Sequence, residues 1–211
     1  MKGNGRKLVI VADGEFPSHP VPLRIIRDAD IVVCCDGAIR HLEGIGRHAD
    51  AIVGDMDSLD SERMEKYSPI IHKDPDQESN DLTKSFNYSL ALNPGSIAIA
   101  GATGRREDHT LGNISLLAEY AKKSDIPITM YTDWGYFTPY TKDCSLRIPP
   151  GTQISLFGIG ESVKIESRGL KYPLKEVVFD NWWKGTLNEA LTGQVELDIN
   201  GGIVIVFVLY T

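Results

Sequence analysis

Ala51-Ile52-Val53-Gly54-Asp55-Met56-Asp57-Ser58 runs from a short apolar stretch straight into a loop with two carboxylates. A short apolar run bounded by turn residues reads as a buried strand. Two more acidic loops follow. Asp76-Gln77-Glu78-Ser79-Asn80-Asp81 comes after Ile70-Ile71-His72, and Gly104-Arg105-Arg106-Glu107-Asp108-His109 after Ile97-Ala98-Ile99-Ala100. Further strand-like runs are Leu8 to Ala12, Ile31 to Cys35 and Ile128 to Tyr131. Helical spacing separates them. Leu82, Phe86 and Leu90 mark a helix over Asn80 to Ala91, and Ile114, Leu117, Ala118 and Ala121 one over Leu111 to Lys122. Apolar strands alternating with helices predict an α/β domain over residues 1–133, a mostly parallel sheet with helices on both faces. Such sheets bind ligands beyond the carboxyl ends of their strands, where the three acidic loops would gather.

The pattern changes after Asp133. Tyr136 to Thr141, Cys144 to Ile148, Gln153 to Phe157, Val163 to Ser167, Gln194 to Ile199 and Ile203 to Leu209 read as strands. Pro149-Pro150-Gly151, Gly158-Ile159-Gly160 and Asn200-Gly201-Gly202 read as turns. Residues 134–211 are therefore expected to form a small antiparallel β-sandwich.

Composition narrows the function. The 211 residues are 42% hydrophobic and 24% charged, ordinary values for a globular protein, with a net charge of −7. That acidity argues against a nucleic-acid or anionic-membrane surface. Met1 to Lys7 is polar, Leu8 to Ala12 is too short for a targeting core, and no run approaches the roughly 18 residues of a membrane helix. Cys34, Cys35 and Cys144 make a poor disulfide framework. A cytoplasmic location with reduced thiols is the expectation.

Clustered carboxylates repel, by about 4 kcal/mol for a pair roughly 4 Å apart at an effective dielectric of about 20. A hard divalent cation would relieve that repulsion and hold a polyphosphate at the same time. Each loop also has a plainer reading. Asp55 and Ser58 suit a turn, Asn80-Asp81 a helix cap, and Asp108 a helix start. Lys84 reads equally as a cation at the cavity mouth or as a solvated helix residue. The combination favours chemistry, with Arg105-Arg106 supplying phosphate-pairing groups beside Asp108-His109. Gly-x-x-x-x-Gly-Lys-Ser/Thr, Gly-x-Gly-x-x-Gly and zinc spacings are absent from the sequence.

Four motifs in order resemble the thiamin pyrophosphokinase (thiamin diphosphokinase) family: Cys35-Asp36-Gly37-Ala38, Gly54-Asp55-Met56-Asp57-Ser58, Asp76 to Lys84, and Gly101 to His109. Thinner matches follow at Gly169 to Leu174 and Gly185-Thr186-Leu187-Asn188-Glu189. The chain departs from the family pattern at several places. Asn80 stands for Thr, Arg105 for Gly, Glu107 for an aromatic, Ala38 for Gly and Leu187 for Ser.

The resemblance implies Mg2+-dependent transfer of the diphosphate of ATP to the hydroxyl of thiamine, giving thiamine diphosphate and AMP. It implies Asp55, Asp57, Asp76 and Asp81 as metal ligands, and Asp55, Asp57 and Asp81 as the catalytic set, with Asp81 ahead of Asp57 as the base. It implies Asp36, Gln77, Lys84, Arg106, Asp108 and His109 around the nucleotide. For thiamine it implies Gln77, Asp81 and Asn188, in a homodimer with sites at the subunit interface. Trp182 and Trp183, within the polar stretch Asp180 to Lys184, either offer thiamine, a cation with two aromatic rings, an aromatic surface or pack in the β-sandwich. The alternatives weighed are a haloacid-dehalogenase-type phosphatase, which also places Asp-x-Asp after a strand, and a non-catalytic nucleotide- or thiamine-binding sensor. The phosphatase fits poorly, since here the motif lies on the third strand-like run.

Overall fold

The computed structural model describes residues 5–175 and 177–211; of the polar stretch read at the start, residues 1–4 lie outside them. The chain divides into two compact units, residues 1–116 with 126–133, and residues 117–125 with 134–211. Residues 117–125 therefore group with the second unit, although they continue a helix that begins in the first.

The first unit holds strands β1 (Lys7–Val11), β2 (Ile31–Cys35), β3 (Ala51–Gly54), β4 (Ile71–Lys73), β5 (Ser96–Ala100) and β6 (Ile128–Tyr131). They pair in parallel in the order β6-β5-β1-β2-β3-β4. The central strands are buried on both faces, as covered parallel strands must be: β2 and β3 are buried throughout, whereas the edge strand β4 is largely exposed. The helices are α1 (Pro20–Arg27), α2 (Ile39–Gly44), α3 (Ser61–Lys66), α4 (Asp81–Ala91) and α5 (Glu107–Lys123). Val9, Val32 and Ile52 of the sheet form one core with Ile26, Ile39 and Leu42 of α1 and α2. Strand order runs outward from β1 through β4, then resumes on the other side of β1 with β5. That reversal makes the carboxyl ends of β1 and β5 a topological switch point.

Helix α5 starts at Glu107, one turn earlier than the apolar spacing indicated, because Glu107 and Asp108 carry no apolar signal yet suit the positive end of a helix. Helices α1, α2 and α3, of 8, 6 and 6 residues, are too short to display a period. Among the described residues no helix is long and apolar enough to cross a membrane.

The second unit is built of β7 (Gly135–Tyr140), β8 (Cys144–Leu146), β9 (Gln153–Ile159), β10 (Lys164–Arg168), β11 (Val177–Val178), β12 (Asn188–Glu189), β13 (Val195–Asn200) and β14 (Ile203–Leu209). Antiparallel pairing gives two four-stranded layers, β12-β9-β14-β7 and β11-β10-β13-β8. Burial alternates along β9, β10 and β13. Ile154, Leu156, Ile165, Leu197 and Val206 meet in the core between the layers. Sequence reading missed β11 and β12, which have two residues each and no room to alternate.

Gly185 shows how tightly this core is closed. A Cβ there would lie 2.1 Å from the Leu156 carbonyl oxygen and 2.5 Å from the Phe179 ring, whereas one at Gly193 meets nothing within 4 Å. Gly185→Ala is expected to lose about 3 kcal/mol in denaturant unfolding, and Gly193→Ala to stay within about 0.5 kcal/mol of wild type. Equal stability of the two variants would contradict this packing.

Candidate active site

The loop after β3 is bent by one residue. Met56 takes a left-handed φ of 70° and is buried in the core, while Asp57 is exposed and Asp55 half-buried. A non-glycine residue in that region costs about 1–3 kcal/mol, so burial of the Met56 side chain has to offset it. The bend is closed by the Asp55 carboxylate, which accepts the Asp57 backbone N–H at 3.2 Å. That bond is the main reason the Asp55 carboxyl is held below its usual range.

Asp36 approaches from the end of β2. It is 1% exposed. Its Oδ2 accepts the Ser58 backbone N–H at 3.1 Å, and its Oδ1 is buried with no hydrogen-bond partner. Burial, reinforced by Asp81, Asp57 and Asp55, pushes its carboxyl above the usual range against the pull of the Ser58 N–H. Ligand atoms of Asp36, Asp55 and Asp57 lie within 4.8 Å of one another. A carboxylate with one buried oxygen lacking a donor, clustered with two further carboxylates, is a donor set suited to a hard divalent cation.

The other acidic residues of the expected metal shell lie around this trio rather than in it. Asp81 opens α4, and burial raises its carboxyl while Lys84 pulls it back. Lys84 is 3% exposed, with its Nζ 3.3 Å from Asp81 Oδ1. It is neither a solvated helix residue nor a cation projecting at the mouth. Asp76 is engaged by the Ser79 hydroxyl and the Glu78 N–H, which hold its carboxyl low. Gln77 of the same loop donates its side-chain amide to the Pro75 carbonyl at 3.3 Å. Asn80 caps α4 by accepting the Thr83 N–H at 3.0 Å and donates to Asn113 at 3.1 Å. Asparagine caps a helix at least as well as the threonine it replaces.

A cavity of about 350 Å³ opens at the switch point between β1 and β5. Asn80 and Asp81 line one side, and Arg105, Arg106 and His109 another. Arg106 holds Asp108 through two bonds of 3.0 and 2.6 Å, and these draw the Asp108 carboxyl down to about 2. Sequence reading missed the third wall, Asp13-Gly14 at the end of β1. Its signal was present, an acidic residue directly after the first strand-like run, but a lone Asp-Gly reads as a turn. A second cavity, of about 370 Å³, lies toward the amino-terminal ends of β1, β5 and β6. It lacks the carboxylate cluster and sits at the edge where such sheets do not bind ligands.

In the second unit, Asn188 is 5% exposed. Its amide oxygen accepts the Tyr172 and Glu189 N–H groups at 3.1 and 2.9 Å, and its amide nitrogen donates to the Tyr172 carbonyl at 2.8 Å. That side chain ties two segments together. Trp182 is half-buried, its indole N–H donating to the Gly158 carbonyl at 3.2 Å and its ring edge-on to Phe157. Trp183 and Leu187 are 69% and 77% exposed, and Leu187 holds a left-handed φ of 60°.

The raised Asp36 carboxyl sets a sign for stability. A folded value above the unfolded one means that folding disfavours the ionised form. The penalty is absent below the ordinary aspartate range and complete once the pH exceeds the folded value. Metal-free Asp36→Asn is therefore expected to melt above wild type at neutral pH, with the advantage vanishing below about pH 4. Calorimetric melting in chelator across pH measures this. A variant less stable at pH 7 than wild type would contradict it.

Comparison with known proteins fits this arrangement. Residues 23–130 match the family described as thiamin pyrophosphokinase, catalytic domain, and residues 135–207 that described as thiamin pyrophosphokinase, substrate-binding domain. The chain is similar to thiamine pyrophosphokinase 1 of Oryza sativa subsp. japonica, 34% identical over 131 residues, 57% of this chain and 45% of that protein. It is also similar to thiamine pyrophosphokinase of Bacillus subtilis (strain 168), 30% identical over 136 residues, 57% and 59% of the two. The match thus spans about half the length of these relatives. The solved structure of thiamine pyrophosphokinase from Bacillus subtilis superposes with a TM-score of 0.80 at 23% identity, over 98% of this chain and 99% of that one. Yeast thiamin pyrophosphokinase gives 0.79 at 19%, over 98% and 87%. These two likenesses show the fold, a mainly parallel sheet with helices plus an antiparallel C-terminal region. With both of its units matched by the corresponding profiles, the chain belongs to the thiamin pyrophosphokinase family.

Proposed function

We propose that this protein transfers the β,γ-diphosphate of ATP to the primary hydroxyl of thiamine, with Mg2+, releasing AMP. The observation that carries the reading is the cluster of Asp36, Asp55 and Asp57, whose Asp36 keeps a buried, partnerless Oδ1, on the sheet edge that also holds the arginine-lined cavity. In this reading Asp36 joins Asp55 and Asp57 as a metal ligand, with Asp76 and Asp81 acting at longer range or through water. A bound Mg2+ would supply charge neutralisation and polarise phosphate oxygens. Arg106 and His109 grip phosphate, Arg106 exchanging Asp108 for it, since guanidinium pairs equally well with either anion.

Asp81 takes the hydroxyl proton. Its burial raises its proton affinity toward the range useful to a base. Lys84 holds that carboxylate in place. The reaction is an in-line displacement in which positioning and electrostatics contribute most of the rate. Thiamine is a cation with two aromatic rings, and the exposed face of Trp183 is the surface offered to it. Trp182 and Asn188 act behind that surface by fixing its backbone. In a homodimer each thiamine would lie between subunits, in a cytoplasmic enzyme.

Product analysis with Mg-ATP and thiamine tests the reading. Thiamine diphosphate and AMP are expected in equal amounts. Inorganic phosphate without acceptor would point to a phosphatase, and binding without turnover to a sensor. Asp55→Asn and Asp57→Asn should each lower kcat at least about a hundredfold at limiting Mg2+, while the fold is kept. Trp183→Ala should raise KM for thiamine several-fold and leave that for Mg-ATP unchanged. An unaltered thiamine KM would remove Trp183 from the acceptor site.

A further inference from the structure

Asp13 collects more cationic partners than any other carboxylate of the first unit's cavity. Its Oδ2 receives Arg40 Nη2 at 3.0 Å, and its Oδ1 meets His41 Nε2 at 3.1 Å. Arg105 Nη1 donates to the Asp13 carbonyl oxygen at 3.0 Å and lies 3.6 Å from Oδ1. Phe16 stacks on the His41 ring, with centroids 5.1 Å apart and planes 11° from parallel. Space for the cluster is kept by Gly37 of the Asp36-Gly37 motif. A Cβ there would come within 2.7 Å of Asp13 Oδ2 and 3.0 Å of Arg40 Nη2. The loop after β1, helix α2 and the loop after β5 are thereby joined through one carboxylate.

The cluster divides the carboxyl edge by charge. Asp36, Asp55 and Asp57 form an acidic side. Arg40 and Arg105 outnumber the single charge of Asp13 and form a cationic side, with Arg105 and Arg106 both lining the cavity. A polyphosphate complements that polarity, with one end at the cation seat and the other between guanidinium groups. Arg105 is half-exposed, with a side chain 53% accessible, so it can turn donors toward a ligand while Asp13 holds it.

We infer that Asp13 is a positioning residue that fixes Arg105 over the cavity, and that Arg105 grips the end of a nucleoside polyphosphate remote from the metal. The inference rests on the nucleotide reading of the site and assigns Arg105, where the family pattern has glycine, a role of its own.

Calorimetric titration with Mg2+ and α,β-methylene-ATP, alongside AMP as a probe without the polyphosphate, tests it. Arg105→Gly should weaken the analogue about tenfold, as for a lost charge-assisted hydrogen bond, and leave AMP within about twofold. Arg105→Lys should recover only part of the loss, because an ammonium cannot make the planar contact. Asp13→Asn gives a test by sign. Removing a negative charge beside an anion site should tighten binding if Asp13 acts only through its charge. A positioning role predicts at least about threefold weakening instead. Melting temperatures are recorded for each variant, and the exposed Arg105→Gly keeps the test available whatever the stability of Asp13→Asn. Analogue binding unchanged by Arg105→Gly, or tightened by Asp13→Asn, would overturn the inference. A wild-type protein that binds neither probe would overturn the nucleotide reading itself.

Discussion

The site depends on one buried carboxylate. Asp36 is shielded from water, has one oxygen on the Ser58 N–H and leaves the other without a donor. Such a group is costly to keep ionised unless a counter-charge is supplied. Asp55, Asp57 and Asp81 add further negative charge around it. Part of the compensation is internal, since Lys84 is buried against Asp81. In the proposed function a cation from solution would supply the rest, and the left-handed turn at Met56 would serve to present Asp55 and Asp57 to it.

The opposite charge sits a short way along the same edge. Arg105, Arg106 and His109 line the cavity at the switch point between β1 and β5, where a doubly wound sheet leaves a crevice. Neither half is sufficient alone. Guanidinium groups without the carboxylates would bind any anion, and carboxylates without the cavity would bind only a metal. Their juxtaposition suits a ligand that is both polyanionic and metal-bound, as the proposed function requires.

The strands that build this edge were legible in sequence because most of the parallel strands are continuous apolar runs, and β1, β2 and β3 lead straight into acidic residues. Asp55, Asp57, Asp81 and Arg106 were legible with them, from their place in the loops. Other features depend on partners brought together by the fold. The burial of Lys84 depends on its partner Asp81, and a lysine one turn into a helix is ordinarily solvated. The role of Asp13 depends on Arg40 and His41 of α2 and on Arg105 of a distant loop. Asn188 looks like a binding residue in its motif, yet its amide is consumed by Tyr172 and Glu189. Leu187, exposed in a left-handed conformation beside it, has no structural explanation.

The cation seat is the claim on which the rest of the account turns. Electron paramagnetic resonance of Mn2+ added to the protein without nucleotide measures it directly. The account predicts one bound Mn2+ per chain, displaced by Mg2+, and weakened at least about tenfold by Asp36→Asn as well as by Asp55→Asn, each costing one hard ligand. Binding of Mn2+ that is indifferent to both substitutions would place the metal elsewhere and contradict the account.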